Sequence, residues 1–159
     1  MKSTMRLIAS AIALSIAIFA SSTSALAQSD ATKKAEAEMK ATFGTVPVMM
    51  RVYPERLRAG AWEWFKATMS PDAAVPSKFS QLISLAVASQ IPCAYCVYAH
   101  TTMAKMFGAT DAEIQEAIAS AADVRHWSTV LNGADVPLDE FKKEWDDILA
   151  HLKKQSEAK

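Results

Sequence analysis

Apolar residues return every three or four positions along most of this chain, and no stretch alternates apolar with polar residues between turn signals. That is the 3.6-residue period of amphipathic helices, not the two-residue period of strands. Only 4 glycines occur in 159 residues while alanine is abundant, a composition suited to helices. The expectation is an all-α fold of about six helices. The first covers about 32–42, with Met39 and Phe43 as its apolar contacts and Gly44 as its stop. A connector over 45–50 contains Pro47 and methionines that need burial. Pro54 opens the next helix, where Leu57, Ala61, Trp64, Phe65 and Thr68 form a core-facing stripe and Trp62 lies off it. Ser70, Pro71, Asp72 and Pro76 mark a loop. The segment 78–90 reads as the most buried helix, because Phe79, Leu82, Ile83, Leu85, Ala86 and Val87 cover much of its circumference. A further helix opens at the capping-box sequence Thr110 to Glu113, carries Ile114, Ala117, Ile118, Ala121, Val124 and Leu131, and ends at Asn132 and Gly133. The last begins near Pro137, with Leu138, Phe141, Trp145, Ile148, Leu149 and Leu152 in register.

The N-terminus has the order of a cleavable secretory signal: Lys2 and Arg6, an apolar run over 7–20, and the small-residue site Ala25-Leu26-Ala27. The run is too short to span a bilayer comfortably. Residues 1–27 are therefore expected to be removed, giving a periplasmic or secreted protein with no membrane attachment afterwards. The mature chain would start near Gln28 and keep 159 − 27 = 132 residues, which suits one domain. Its expected organisation is a helical extension over 28–42, the main domain over 43–154 and a lysine-rich, frayed tail over 155–159. Loss of Lys2 and Arg6 takes the charge from 17 − 17 to 15 − 17, or −2. Such a balance gives no reason to expect a nucleic-acid partner.

Both cysteines fall within eight residues, Cys93-Ala-Tyr-Cys96-Val-Tyr-Ala-His100, directly after Pro92. A proline just inside a helix start is favoured, so the motif is expected to open a helix that runs through Met103, Met106 and Phe107 to Gly108. At about 100° per residue, Cys96 lies about 60° around the axis from Cys93 and His100 about 40° from Cys96, so all three share one face. A bridge that closes only the 93–96 loop stabilises little by chain entropy, which makes redox chemistry a better reading than a structural staple. Thiolates are the reactive form, and helix N-termini and nearby imidazoles favour them. A sulfenic acid formed on one cysteine would condense with the other into a disulfide. Zinc held by Cys93, Cys96, His100 and His126 is the competing metal reading, weakened by the lack of paired histidine spacing. For His100 alone the plain alternative is a hydrogen-bonded core residue, and for Gln81 a solvated position.

The motif and its flanks resemble the carboxymuconolactone decarboxylase family, in particular its alkyl hydroperoxidase D-like branch. Similar features are the apolar helix before Cys93, the stretch Phe107-Gly108-Ala109-Thr110 with Glu113 and Ile114, the segment 125–133, and Phe43-Gly44-Thr45-Val46-Pro47 upstream. The resemblance implies an all-α homo-oligomer, trimeric or a multiple of three, and thiol-dependent reduction of a hydroperoxide without a cofactor or metal. By position it implies Cys96 as the attacking thiol, Cys93 as proton donor and resolving partner, and His100 as relay. The lactone-decarboxylating branch lacks the cysteine pair. One departure is Gln81, which stands where the peroxidase branch usually has a glutamate and which has no proton to exchange at neutral pH. Another is the export signal, since a dithiol or thioredoxin-like reductant must then be found outside the cytosol. A non-enzymatic helical binding or assembly protein, its motif closed as a disulfide or a metal site, is the alternative class.

Overall fold

The computed structural model describes residues 30–158, and every regular element there is helical. The expected signal peptide lies outside the described residues. Among those described, no helix is long and apolar enough to cross a membrane. The helices are α1 (30–43), α2 (Val48–Arg51), α3 (Glu55–Thr68), α4 (Ser77–Ala88), α5 (Ala94–Met106), α6 (Asp111–Gly133) and α7 (Leu138–Glu157). They fall into two compact units that meet in the chain at Ala73 and Ala74.

The first unit holds α1, α2 and α3, so the segment expected as an N-terminal extension contributes to a core. Ala35 and Met39 from α1 pack with Val46, Met50 and Trp62. Met39 is fully enclosed, a burial worth roughly 1.5–3 kcal/mol for a side chain of this size. Gly44 stops α1 in the left-handed region at φ 75°, a conformation costly for residues with a Cβ. The expected connector instead contains the one-turn α2, which raises the helix count among the described residues to seven. Pro47 fixes its start, and the Arg51 guanidinium donates back to the Val46 carbonyl at 2.6 Å. Met50 is buried there, while Met49 stays half exposed.

The stripe expected on α3 is corrected by the structure. Trp62 is the core residue at 2% exposure, and Trp64, placed on the core face from periodicity, is 75% exposed. Glu38 of α1 explains the choice, because its carboxylate accepts from Trp62 Nε1 at 2.8 Å and from Lys66 Nζ at 2.7 Å. A buried indole N–H needs such a partner. The face of α3 that carries Trp62, Phe65 and Lys66 therefore turns to α1, and Phe43 packs edge-on against both Trp62 and Phe65. Arg58 adds an ion pair to Glu36.

In the second unit α4 packs against α5 and α6 around Leu85, Ala104, Ala109 and Ile114, with Leu82 beside them. Helix α4, expected to be the most buried, has three buried residues among its 12, but its apolar circumference is covered only in part. Gln81, Leu85 and Ala88 are buried, whereas Phe79, Ile83 and Val87 on another face are at least half exposed. Two neighbouring helices can cover only one side of α4. Lys78 ties its start to Glu113 of α6 at 2.6 Å.

Both ends of α5 and the start of α6 follow from local chemistry. Gly108 ends α5 at φ 84°. Thr110 and Glu113 form a reciprocal capping box, with Glu113 N–H donating to Thr110 Oγ1 at 3.1 Å and Thr110 N–H to Glu113 Oε2 at 2.8 Å. Of the stripe expected on α6, Ile114 and Ala121 are buried, but Val124 is exposed. Helix α7 continues to Glu157, into the segment expected as a frayed tail.

Candidate functional site

The site is built where α4 and α5 lie side by side. A turn over 89–92 separates the two helices, and α5 begins at Ala94. Pro92 is thus not the first helical residue, as its position suggested, but stands one before the cap. Cys93 is the N-cap itself, and its Sγ accepts from the Cys96 backbone N–H at 3.2 Å. This places the Cys93 sulfur at the positive end of the helix dipole, where a thiolate is favoured once the pair is reduced. Cys93 and Cys96 are joined as a disulfide with Cα atoms 5.3 Å apart, and both are half buried.

His100 follows Cys96 by one helical turn, which brings the two Cβ atoms within about 5–6 Å on one face of α5. Its imidazole is held from α4: His100 Nδ1 lies 2.8 Å from Gln81 Oε1. Gln81 is only 2% exposed, so it is not a solvated position. An amide oxygen can only accept, so the proton of this bond belongs to Nδ1. In the neutral ring the lone pair is then on Nε2. Burial holds the His100 pKa below its usual 6.5, because nothing charged at Gln81 offsets the loss of water around an imidazolium. At neutral pH the ring is therefore an uncharged base with one defined acceptor nitrogen.

The structure thus brings Gln81 to His100 and joins Cys93 to Cys96 at the start of the same helix. His126 is on α6 with its ring edge-on to Trp127, 5.1 Å between centroids. Among the described residues no group of three or more His, Cys, Asp and Glu side chains converges as a metal set. One supporting pair escaped sequence reasoning. Arg125 of α6 donates through Nε to Gln90 Oε1 at 2.8 Å and anchors the turn that delivers Cys93. The two are 35 residues apart, and nothing local in the sequence links them.

The sequence profile of the carboxymuconolactone decarboxylase family matches residues 55–138, more than half of the chain. The chain belongs to this family. A Paracoccus denitrificans protein named as uncharacterized protein 4 in the cox locus is 41% identical over 54 residues, which are 34% of this chain and 49% of the relative. The chain thus matches about half the length of that curated relative. The crystal structure of the alkylhydroperoxidase AhpD core from Rhodospirillum rubrum is similar at a TM-score of 0.61 and 25% identity, covering 74% of this chain and 89% of the other. The family fold and the all-helical architecture therefore agree, and the cysteine pair lies inside the matched region.

Proposed function

We propose that this family member is a thiol-dependent hydroperoxide reductase that works outside the cytosol, with Cys96 and Cys93 as its redox pair. The observation that carries the reading is the His100 imidazole, one turn after Cys96, uncharged and held through Nδ1 by buried Gln81. In the reduced protein His100 Nε2 takes the Cys96 thiol proton. The thiolate attacks the terminal oxygen of the hydroperoxide, the O–O bond breaks, and the alkoxide leaves with a proton as an alcohol. Cys96 is then a sulfenic acid. The Cys93 thiol displaces its hydroxyl as water, and the disulfide closes. An external dithiol, itself oxidised to a disulfide, returns both cysteines to thiols. The naming of the Rhodospirillum neighbour as an alkylhydroperoxidase supports this chemistry. The sequence of the first 27 residues supports export.

Gln81 supports a second reading. With an amide at Gln81 where the peroxidase branch has a carboxylate, the pair also suits a closed disulfide in an exported binding protein. Intact mass after alkylation separates the two. Enzyme chemistry requires a dithiol to open the pair and one equivalent of peroxide to close it again. A pair inert to both reagents would exclude the reductase.

A further inference from the structure

The turn that joins α4 to α5 is stiff at its downstream end. Pro92 has a fixed φ, and the Cys93 N–H donates to the Ile91 carbonyl at 2.7 Å, the three-residue closure of a γ-turn. Ile91, Pro92 and Cys93 therefore move as one piece. Its upstream pivot is Gln90, whose N–H donates to the Val87 carbonyl of α4 at 3.0 Å. Arg125 of α6 grips this residue twice, with Nε donating to Gln90 Oε1 at 2.8 Å and Nη2 to the Gln90 carbonyl at 3.4 Å. A guanidinium fork fixes direction as well as distance. The piece that ends in Cys93 is thus positioned from α6.

The two cysteines of the pair are held by different means. Cys96 lies inside α5, one turn before His100, whose ring is bonded to Gln81 of α4. Cys93 is the N-cap, outside the helical ladder, and its backbone follows the turn. When the disulfide is reduced, its two sulfurs lose their bond and separate to nonbonded contact. The sulfur able to yield is that of Cys93. How far it yields depends on how firmly the turn is held, and Arg125 supplies a hold from outside both α4 and α5.

We propose that Arg125 is a positioning residue for the resolving thiol: through Gln90 it keeps Cys93 within reach of Cys96 after reduction, which speeds closure of the disulfide and favours the closed form. This rests on the redox role proposed above. In the closing step the Cys93 sulfur bonds to the Cys96 sulfur, the S–O bond of the Cys96 sulfenic acid breaks, and the hydroxyl leaves as water with the Cys93 proton. Arg125 exchanges no proton in it. Its effect is on effective concentration, because a thiol confined beside its target reacts as part of one molecule.

The test is the equilibrium of the Cys93–Cys96 pair in graded thiol–disulfide buffers, glutathione at the oxidising end and dithiothreitol at the reducing end. Each pair that opens oxidises two buffer thiols to one disulfide, and alkylation with intact mass reads the fraction opened. Arg125→Ala and Gln90→Ala should each move the pair toward the dithiol by about threefold, a modest shift because contacts this exposed are weak. The double variant should shift no further than either single one, since both remove the same interaction. Thermal melting checks folding, and Gln90→Ala decides the matter if Arg125→Ala does not fold. After one equivalent of hydroperoxide, the sulfenic acid of the reduced variants should last about threefold longer before it closes. An equilibrium equal to that of wild type would overturn the proposal. So would a shift toward the disulfide in Arg125→Ala alone, the mark of a positive charge lost beside a thiolate and not of a lost clasp. The equilibrium uses no peroxide. A wild-type pair that the buffers open and peroxide does not close overturns the reductase reading, while the clasp stands or falls on the equilibrium shift. A pair that no buffer opens overturns both.

Discussion

Gln81 Oε1 and His100 Nδ1 are 2.8 Å apart across the α4 and α5 boundary, and this bond selects the imidazole nitrogen that can act as a base. A carboxylate in the same place would fix the same tautomer and also favour the imidazolium. The glutamine does only the first. Orientation is kept, but the amide cannot take up the proton as a carboxylate could.

Replacing Gln81 by leucine keeps the volume and removes the acceptor. A buried Nδ1–H without a partner costs about 1–3 kcal/mol, and the ring can escape by moving its proton to Nε2. The expected result is a lower unfolding midpoint, a rise of the Nε2–H tautomer in ¹⁵N NMR of the imidazole, and slower oxidation of the reduced thiols. An unchanged tautomer ratio in a folded variant would show that Gln81 does not orient His100.

The order of attack is tested at the two cysteines. Serine is a good N-cap, so Cys93→Ser retains the bond to the Cys96 N–H and the start of α5. Without a resolving thiol, a Cys96 sulfenic acid should persist and be captured by a dimedone-type probe after peroxide. Cys96→Ser should give no adduct. Capture only in the Cys96→Ser protein would make Cys93 the attacking thiol.

In the first unit, hydrogen bonds from Lys66 and Trp62 hold the Glu38 carboxyl below its usual 4.5. A group with a depressed folded pKa contributes stability that is present above its unfolded value and is lost as pH falls through the folded one. Stability should therefore drop below about pH 4.5, the ordinary range of a glutamate, as protonation weakens the bond to Lys66 and frees the Trp62 N–H. Chemical denaturation of wild type and Glu38→Gln between pH 3 and 6 checks this. The variant should start less stable at pH 6 and show a flatter acid limb. Parallel limbs would mean that Glu38 contributes nothing to acid sensitivity.

The helices, the Gly44 and Gly108 stops and the Thr110 capping box were legible because each depends on residues within about one turn of one another. Which face of a helix finds a partner is a long-range question. Periodicity favoured Trp64, yet Glu38 from another helix draws Trp62 inward. The same holds for Phe79, Ile83 and Val87, whose spacing reads as core although α5 and α6 cover the opposite side of α4. At the site, the motif placed both cysteines and His100 together. The contact of Gln81 with His100 rested on resemblance alone, and the clasp of Arg125 on Gln90 had no local signal.

Gln81→Glu reverses the departure from the peroxidase pattern at the point where the geometry is already in place. The new carboxylate should accept the Nδ1 proton as Gln81 Oε1 does, while its charge favours the imidazolium that forms when Nε2 takes the Cys96 proton. General acid–base assistance is worth about 10²–10⁴-fold in total, and His100 already supplies part of it, so a rise of about tenfold in the oxidation rate of the reduced protein is expected. Burial acts against the new charge. At 2% exposure the introduced carboxyl is pushed toward its neutral form, which cannot assist. The gain should therefore be small near pH 6 and grow toward pH 8, the range in which a raised carboxyl and a histidine both change charge. The measurement is the second-order rate of thiol loss with an organic hydroperoxide, wild type against variant, across that range. A folded variant that shows no gain at any pH would place the proton elsewhere, and would leave Gln81 with orientation of His100 as its whole contribution.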